Sequence, residues 1–312
     1  MSKAAGNIPL LFRIVNETSS IVNVAQGIVR RVIQSGELNV IDKGTNDLQT
    51  KADRAAQNYI ITTLSSLFPK VTIIGEEGDN VSESFDGLLS TDTLVDKCSV
   101  IDVTSAQKEV PEHVRSIQEE DLVVWVDPLD GTAEFAKGIT EGVTVLVGFA
   151  THGKSVAGVV GQPFYNVNGK TTGRTIWGIP GVGFGGINAQ LPPKDKKVIT
   201  TTRSHSDSRV EAVLASVKPD EVLRVGGAGY KVLLLVEGKA NAYVYARAGC
   251  KKWDSCAPEA ILCATGGSLT DLAGKYYEYH KDVQHVNDEG ILATANGEDH
   301  AWYVKQVSQV PE

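Results

Sequence analysis

The chain has 312 residues, 42 % of them hydrophobic, and a formal net charge of −8. That length allows one large domain or two of ordinary size, and the composition excludes global disorder. The negative charge argues against a binder of nucleic-acid backbone, and a polyanionic ligand would need metal ions or a local basic pocket. Cys98, Cys250, Cys256 and Cys263 match no zinc spacing and are too few for a disulfide framework, so a reducing compartment is expected. The N-terminal apolar residues are interrupted by Arg13, Asn16 and Glu17, unlike a signal peptide, and no apolar run approaches a membrane span. A cytoplasmic protein with no membrane attachment is expected.

In chain order, residues 8–35 are predicted as a long amphipathic helix. Leu11, Val15, Ala25 and Val32 recur at helical spacing, Asn7 and Pro9 suit its start, and Gly36 suits its end. Residues 44–53 read as a polar loop leading into a second helix, with Ala56, Leu64 and Leu67 facing inward and Pro69 as its stop. Asp47 and Asp53 stand around the entry of that helix. Capping and dipole compensation explain most such residues; the alternative makes Asp53 part of an acidic cluster. Val71–Ile74 is a short strand that runs into Gly75-Glu76-Glu77-Gly78, a pair of carboxylates of the kind that is usually just solvated. Residues 79–118 are polar and weakly periodic, an insertion with one short helix.

The most informative stretch follows. Val123-Val124-Trp125-Val126 reads as a buried strand, and it ends in Asp127-Pro128-Leu129-Asp130-Gly131-Thr132. Pro128 fixes φ and Gly131 permits tight backbone geometry, so the turn is stiff. It aims two carboxylates, with the Leu129 carbonyl, to one side. Hard oxygens at a strand's end suit Mg²⁺; the alternative is a turn whose Asp residues bond only nearby amides. Glu134–Gly138 continues as a loop or short helix. Val143–Phe149 and Val156–Val160 are predicted as an antiparallel pair, and Thr175–Trp177 as a further strand. The glycine-rich run 178–186 lacks the context of a dinucleotide loop and is assigned no phosphate role.

Lys194–Lys197 reads as a linker, with a domain boundary near residue 190: 1–190 as an α+β domain with a mostly antiparallel sheet and the Asp127–Thr132 turn, 191–312 as an α/β domain. Strands at 198–202, 222–225 and 242–246 alternate with helices at 207–217, 230–237 and 256–264, which argues for an α/β layer with partly parallel strands. Thr200–Ser206 links a strand to a helix N-terminus, a natural phosphate site, although Ser206 also suits an N-cap. Gly226-Gly227-Ala228-Gly229 lets a ligand approach the backbone. Lys231 follows in the first helical turn, where the macrodipole disfavours a cation, which hints at an anion opposite. Asp254 stands near the start of the next helix as a cap or a metal ligand.

With D-P-L-D-G-T at 127–132, G-E-E at 75–77 and W-D-x-x-A-P at 253–258, the chain resembles the lithium-sensitive, Mg²⁺-dependent phosphomonoesterase superfamily of inositol monophosphatases, inositol polyphosphate 1-phosphatases, fructose-1,6-bisphosphatases and bisphosphate nucleotidases. T-N-D-L-Q-T-K-A-D at 45–53, T-T-T-R-S-H-S at 200–206, R-V-G-G-A-G-x-K at 224–231 and G-C-K-K-W-D at 249–254 are similar to its 3′(2′),5′-bisphosphate nucleotidase branch in the animal form. Ala133 departs from that branch, which often has Lys there; this changes local charge but removes no expected ligand.

The resemblance implies a layered α-β-α-β-α sandwich. It implies that Glu76, Asp127, the Leu129 carbonyl, Asp130 and Asp254 hold two or three Mg²⁺, that Thr132 and Asp53 deprotonate the attacking water, and that Thr202, His205, Gly227 and Lys231, together with Thr132, hold the substrate. The implied reaction is hydrolysis of adenosine 3′,5′-bisphosphate to AMP and phosphate. Activity on 3′-phosphoadenosine 5′-phosphosulfate and inositol 1,4-bisphosphate, and inhibition by Li⁺, are implied with it. The expected partner is a small molecule, with no nucleic acid, membrane or obligate protein partner. The competing readings are an inositol polyphosphate 1-phosphatase and a catalytically dead metal- or nucleotide-binding protein.

Overall fold

A computed structural model describes residues 8–44, 47–78, 83–89, 110–204 and 206–311, the side chains of Asp47 and His113 excepted. Asn7, Cys98, His205 and most of the 79–109 stretch, all addressed above, lie outside the described residues. The long first helix, α1 (Leu10–Ser35), starts after Pro9, ends at Gly36, and buries Leu11, Val15, Val22, Ala25 and Val32. The second, α2, spans Lys51–Leu67. The segment between them is not a plain loop: β1 (Ile41–Gly44) and β2 (Asp47–Gln49) form an antiparallel hairpin. All four β1 residues are exposed, so no buried apolar alternation could announce it.

β3 (Thr72–Gly75) lies parallel to β4 (Leu122–Asp130). In the insertion, the described part holds a 3₁₀ turn at Asp86–Leu88 and a one-turn helix, α3 (Glu112–Arg115). A second one-turn helix, α4 (Thr132–Phe135), leaves the end of β4. The expected antiparallel pair is β5 (Thr144–Thr151) and β6 (Lys154–Gln162). A small hairpin, β7 (Asn166–Val167) and β8 (Lys170–Thr171), precedes β9 (Arg174–Ile179) and β10 (Gly183–Gly185). The first sheet runs β10-β9-β6-β5-β4-β3 and is antiparallel except at β3–β4.

The second sheet contains β11 (Val198–Thr202), β12 (Glu221–Val225), β13 (Ala242–Tyr245), β14 (Ser268–Thr270) and β15 (Ile291–Thr294), in the order β12-β11-β13-β15-β14. The first three are mutually parallel and the last two pair antiparallel. Helix α5 (Ser208–Ser216) is capped by Asp207, which accepts from the Val210 amide at 2.9 Å, so Ser206 is not the cap. Helix α6 covers Ala228–Val236, α7 Lys252–Ala264 and α8 His300–Val307. Both α6 and α7 start earlier than their apolar runs suggest: α6 begins at Ala228-Gly229 and α7 at Lys252-Trp253-Asp254. No helix among the described residues is long and apolar enough to cross a membrane.

Helices α1 and α2 cover the outer face of the first sheet, α6 and α7 fill the space between the sheets, and α5 and α8 cover the outer face of the second. The result is an α-β-α-β-α sandwich. Its central contact depends on a row of glycines. Gly148, Gly158 and Gly178 stand side by side across β5, β6 and β9, and the backbone of α7 lies directly on them. A Cβ at Gly148 would stand 2.6 Å from the Ala257 nitrogen, one at Gly178 2.7 Å from the Ile261 Cα, and one at Gly158 would overlap the Ala257 carbonyl. Gly158→Ala is therefore expected to destabilise the fold by about 2 kcal/mol through overpacking. Urea unfolding should show a lower midpoint at unchanged slope; an unchanged midpoint would contradict this packing.

Candidate active site

Two local turns bring the first pair of polar groups together. Asp53 is the third residue of α2 and completes a capping box, accepting from the Thr50 amide at 2.8 Å and from the Thr50 hydroxyl. Its other oxygen, Oδ1, lies 3.0 Å from Thr132 Oγ1, at the start of α4. Thr132 Oγ1 also lies 2.9 Å from the Leu129 carbonyl oxygen; having one proton, it donates to one of the two at a time. Capping and site membership are thus not alternatives for Asp53. One oxygen does each.

The remaining carboxylates gather from three elements. Glu76 follows β3, and its amide donates to the Val126 carbonyl at 3.0 Å. Its carboxylate stands 3.6 Å from Lys251 Nζ, and Glu77 beside it is bound by Lys43 and Gln49, so neither is the freely solvated pair of a surface turn. Asp127 accepts from the Leu129 amide at 2.9 Å, which fixes the turn. Asp254 is the third residue of α7 and accepts from the Lys251 amide at 2.7 Å. Asp130 accepts from Thr144 Oγ1 at 2.8 Å and from the amides of Ala228 and Gly229, at 2.9 and 2.7 Å, in the first turn of α6.

Burial dominates the acidities here, with like charge next. Burial raises Asp53 to about 7, and Glu77 adds to this. Burial and the Asp254 charge raise Glu76 to about 8 and Asp130 to about 6. Burial with Glu76, Asp130 and Asp254 around it pushes Asp127 well above the carboxylate range, and burial raises Asp254 as well. Among the described residues no three His, Cys, Asp or Glu side chains are already drawn around one ion-sized point. Asp130 is turned to the α6 amides, Asp127 to the Leu129 amide, and Glu76 towards Lys251. The donor set itself fits a hard divalent cation: carboxylates and a peptide carbonyl, buried together at a cost that positive charge would relieve.

Glu76, Asp127, Leu129, Asp130, Thr132 and Asp254 line one side of a cleft of about 420 Å³, and fully buried Asp53 stands behind Thr132. The opposite wall comes from the C-terminal ends of β11 and β12 and includes Thr202, Gly227 and Lys231. The chain leaves β11 for an outer helix and β12 for an inner one, so a crevice opens between the two strand ends, where parallel α/β sheets receive ligands. Gly227 has φ +70°, and a Cβ there would overlap the Gly142 carbonyl oxygen. Lys231 is buried, and its Nζ donates to the Gly227 carbonyl at 2.8 Å and sits 5.2 Å from the Tyr243 ring centroid. Burial lowers its pKa while the Asp130 charge opposes that. Its ammonium thus lies in the cleft wall, already engaged with a carbonyl. Ala133 also lines the cleft.

Two further lining groups were not singled out from the sequence. Glu134 accepts from Ser204 Oγ at 2.9 Å and ties α4 to the loop after β11. Lys251 faces Glu76. Their proximity in sequence to Thr132 and Asp254 was the available signal, but which way each points depends on the fold.

Residues 13–312 match the family model described as the inositol monophosphatase family. The chain is 49 % identical over 312 residues to human 3′(2′),5′-bisphosphate nucleotidase 1, covering 99 % of this chain and 97 % of that one. It is 37 % identical over 310 residues to the Dictyostelium discoideum protein of the same name, covering 93 % and 96 %. Among solved structures, the extragenic suppressor protein suhB from Bartonella henselae superposes with a TM-score of 0.68 at 20 % identity, covering 96 % of this chain and 98 % of that one. At that identity the likeness speaks for the fold.

The raised pKa values of these acids bear on stability. Each of these acids holds its proton to a higher pH in the folded chain than in the unfolded one, where the Asp reference is 3.8. Their contribution is therefore fully present below that value and is lost as pH rises through about 6 to about 8. In EDTA, the melting temperature should fall between about pH 5 and pH 8, and Asp127→Asn should make that fall shallower. A melting temperature that climbs across this window would contradict the buried cluster.

Proposed function

Because the chain belongs to the inositol monophosphatase family, we propose that it is a Mg²⁺-dependent 3′(2′),5′-bisphosphate nucleotidase that converts adenosine 3′,5′-bisphosphate to AMP and phosphate. The same reading extends to 3′-phosphoadenosine 5′-phosphosulfate and inositol 1,4-bisphosphate, to inhibition by Li⁺, and to a cytoplasmic enzyme that works without an obligate partner. The observation that carries it is the Asp53–Thr132 contact at the edge of a buried carboxylate cluster, in a cleft whose far wall holds Thr202, Gly227 and Lys231. The relatives named 3′(2′),5′-bisphosphate nucleotidase 1 support the choice of substrate.

Glu76, Asp127, the Leu129 carbonyl, Asp130 and Asp254 would hold two or three Mg²⁺, which when bound neutralise the phosphate and acidify a water. The chain's own residues do the rest. Thr132, donating to Asp53, keeps its oxygen lone pairs for a proton of the attacking water. As that proton arrives, Thr132 passes its own to Asp53. Asp53 is raised to about 7, which suits a base working near neutrality. The two Thr50 bonds hold its other oxygen, so Oδ1 stays aimed at Thr132. Thr202, Gly227, Lys231 and His205 bind the nucleotide and its uncleaved phosphate. For Lys231 this means exchanging the Gly227 carbonyl for a phosphate oxygen, a stronger, charge-assisted bond.

The test is phosphate release from adenosine 3′,5′-bisphosphate with Mg²⁺. Thr132→Ala is expected to lower kcat about 10³-fold by removing the proton relay, and Asp127→Ala to remove the Mg²⁺-stimulated rate altogether. Li⁺ should suppress the wild-type rate. Release from inositol 1,4-bisphosphate alone would favour an inositol polyphosphate 1-phosphatase. Release from neither would leave a binding protein.

A further inference from the structure

The turn that presents Asp254 and Lys251 to the cleft is held from behind. Residues 285–287 run antiparallel to 250–252: the Lys252 amide donates to the His285 carbonyl at 2.8 Å, the Asn287 amide donates to the Cys250 carbonyl at 2.7 Å, and Lys251 pairs with Val286. Asn287 is fully buried and does not line the cleft. Its Nδ2 donates to the Lys251 carbonyl at 3.2 Å and to Ser255 Oγ at 3.0 Å, and its Oδ1 accepts from Lys252 Nζ. The amide can sit only this way round, since an ammonium cannot accept and a carbonyl cannot donate.

The peptide that Asn287 grips is the one that aims the site groups. The Lys251 carbonyl also accepts from the Asp254 amide at 3.1 Å, and the Lys251 amide donates to Asp254 Oδ2 at 2.7 Å. The Lys251 side chain leaves the same residue and stands 3.6 Å from Glu76. We propose that Asn287 is a positioning residue: by clamping the Lys251 peptide it holds Asp254 and Lys251 in place, and so sets how tightly the acidic cluster binds a divalent cation. This rests on the reading of Asp254 as a metal ligand. Apolar packing alone could keep residues 285–287 against α7, but only a group with donors on one side and an acceptor on the other can fix the carbonyl and satisfy the Lys252 ammonium together. A truncated side chain would leave the buried Lys252 ammonium without this acceptor and the Lys251 carbonyl held only from within α7, by the Asp254 amide and the Ser255 hydroxyl.

The experiment is calorimetric titration of Mn²⁺ into the wild-type protein, Asn287→Ala and Asn287→Asp, with melting curves to establish that each is folded. Asn287→Asp keeps the Lys252 bond and loses both donors, so it carries the test if Asn287→Ala does not fold. Removing a group that orients a metal ligand typically weakens binding by one to two orders of magnitude, so Mn²⁺ affinity should fall at least about tenfold in both variants. kcat at fixed subsaturating Mg²⁺ should fall with it, while KM for the bisphosphate stays within about twofold. Folded variants that bind Mn²⁺ as tightly as the wild type would overturn the proposal. A wild-type protein that binds no Mn²⁺ would overturn the metal reading itself, and this proposal with it.

Discussion

Acidic side chains meet where the first sheet ends, and their mutual repulsion out of contact with bulk water is the constraint that shapes the rest of the site. Burial alone raises each acid, and the neighbours raise most of them further. The protein answers with directed donors. Thr50 holds Asp53, the first turn of α6 and Thr144 hold Asp130, and the Lys251 amide holds Asp254. Three of these four groups belong to helix starts, where unpaired amides favour negative charge. The same amides that cap a helix also keep a carboxylate aimed.

The scaffold explains why those helix starts converge. β4 carries the central turn, and its parallel partner β3 delivers Glu76 alongside it. Helix α2 packs against β4 and brings Asp53 to the same end. Helix α7 can lie close enough to contribute Asp254 because Gly148, Gly158 and Gly178 remove the side chains that would hold it off. The second sheet then closes the cleft with its parallel strand ends. Asp130 is the hinge between the two halves: it ends β4 and receives the first amides of α6.

Much of this was legible in the residues. The long periodicity of α1, the β-branched runs of β4 to β6 and the strand–helix alternation after residue 197 are signals of burial, and burial has a period. The turn at 127–132 was legible because its proline and glycine leave few backbone choices. The hairpin at 41–49 was not, since its first strand buries nothing. The glycine row was not, because it exists only once three strands are in register. Lys231 was marked by its unfavourable place in a first turn, yet its engagement with the Gly227 carbonyl depends on how α6 begins. Asp53 and Thr132 lie far apart in the chain, and only the packing of α2 against β4 makes them neighbours. Asn287 has no local signal at all: it lies in a stretch without periodicity, and its importance comes from what it grips across the fold.

The most direct test of the account is where metal sits. Crystals soaked in Mn²⁺ should give anomalous difference peaks bounded by Glu76, Asp127, the Leu129 carbonyl, Asp130 and Asp254. Peaks elsewhere, or no peak beside these carboxylates at saturating Mn²⁺, would contradict the claim that this buried cluster holds cations.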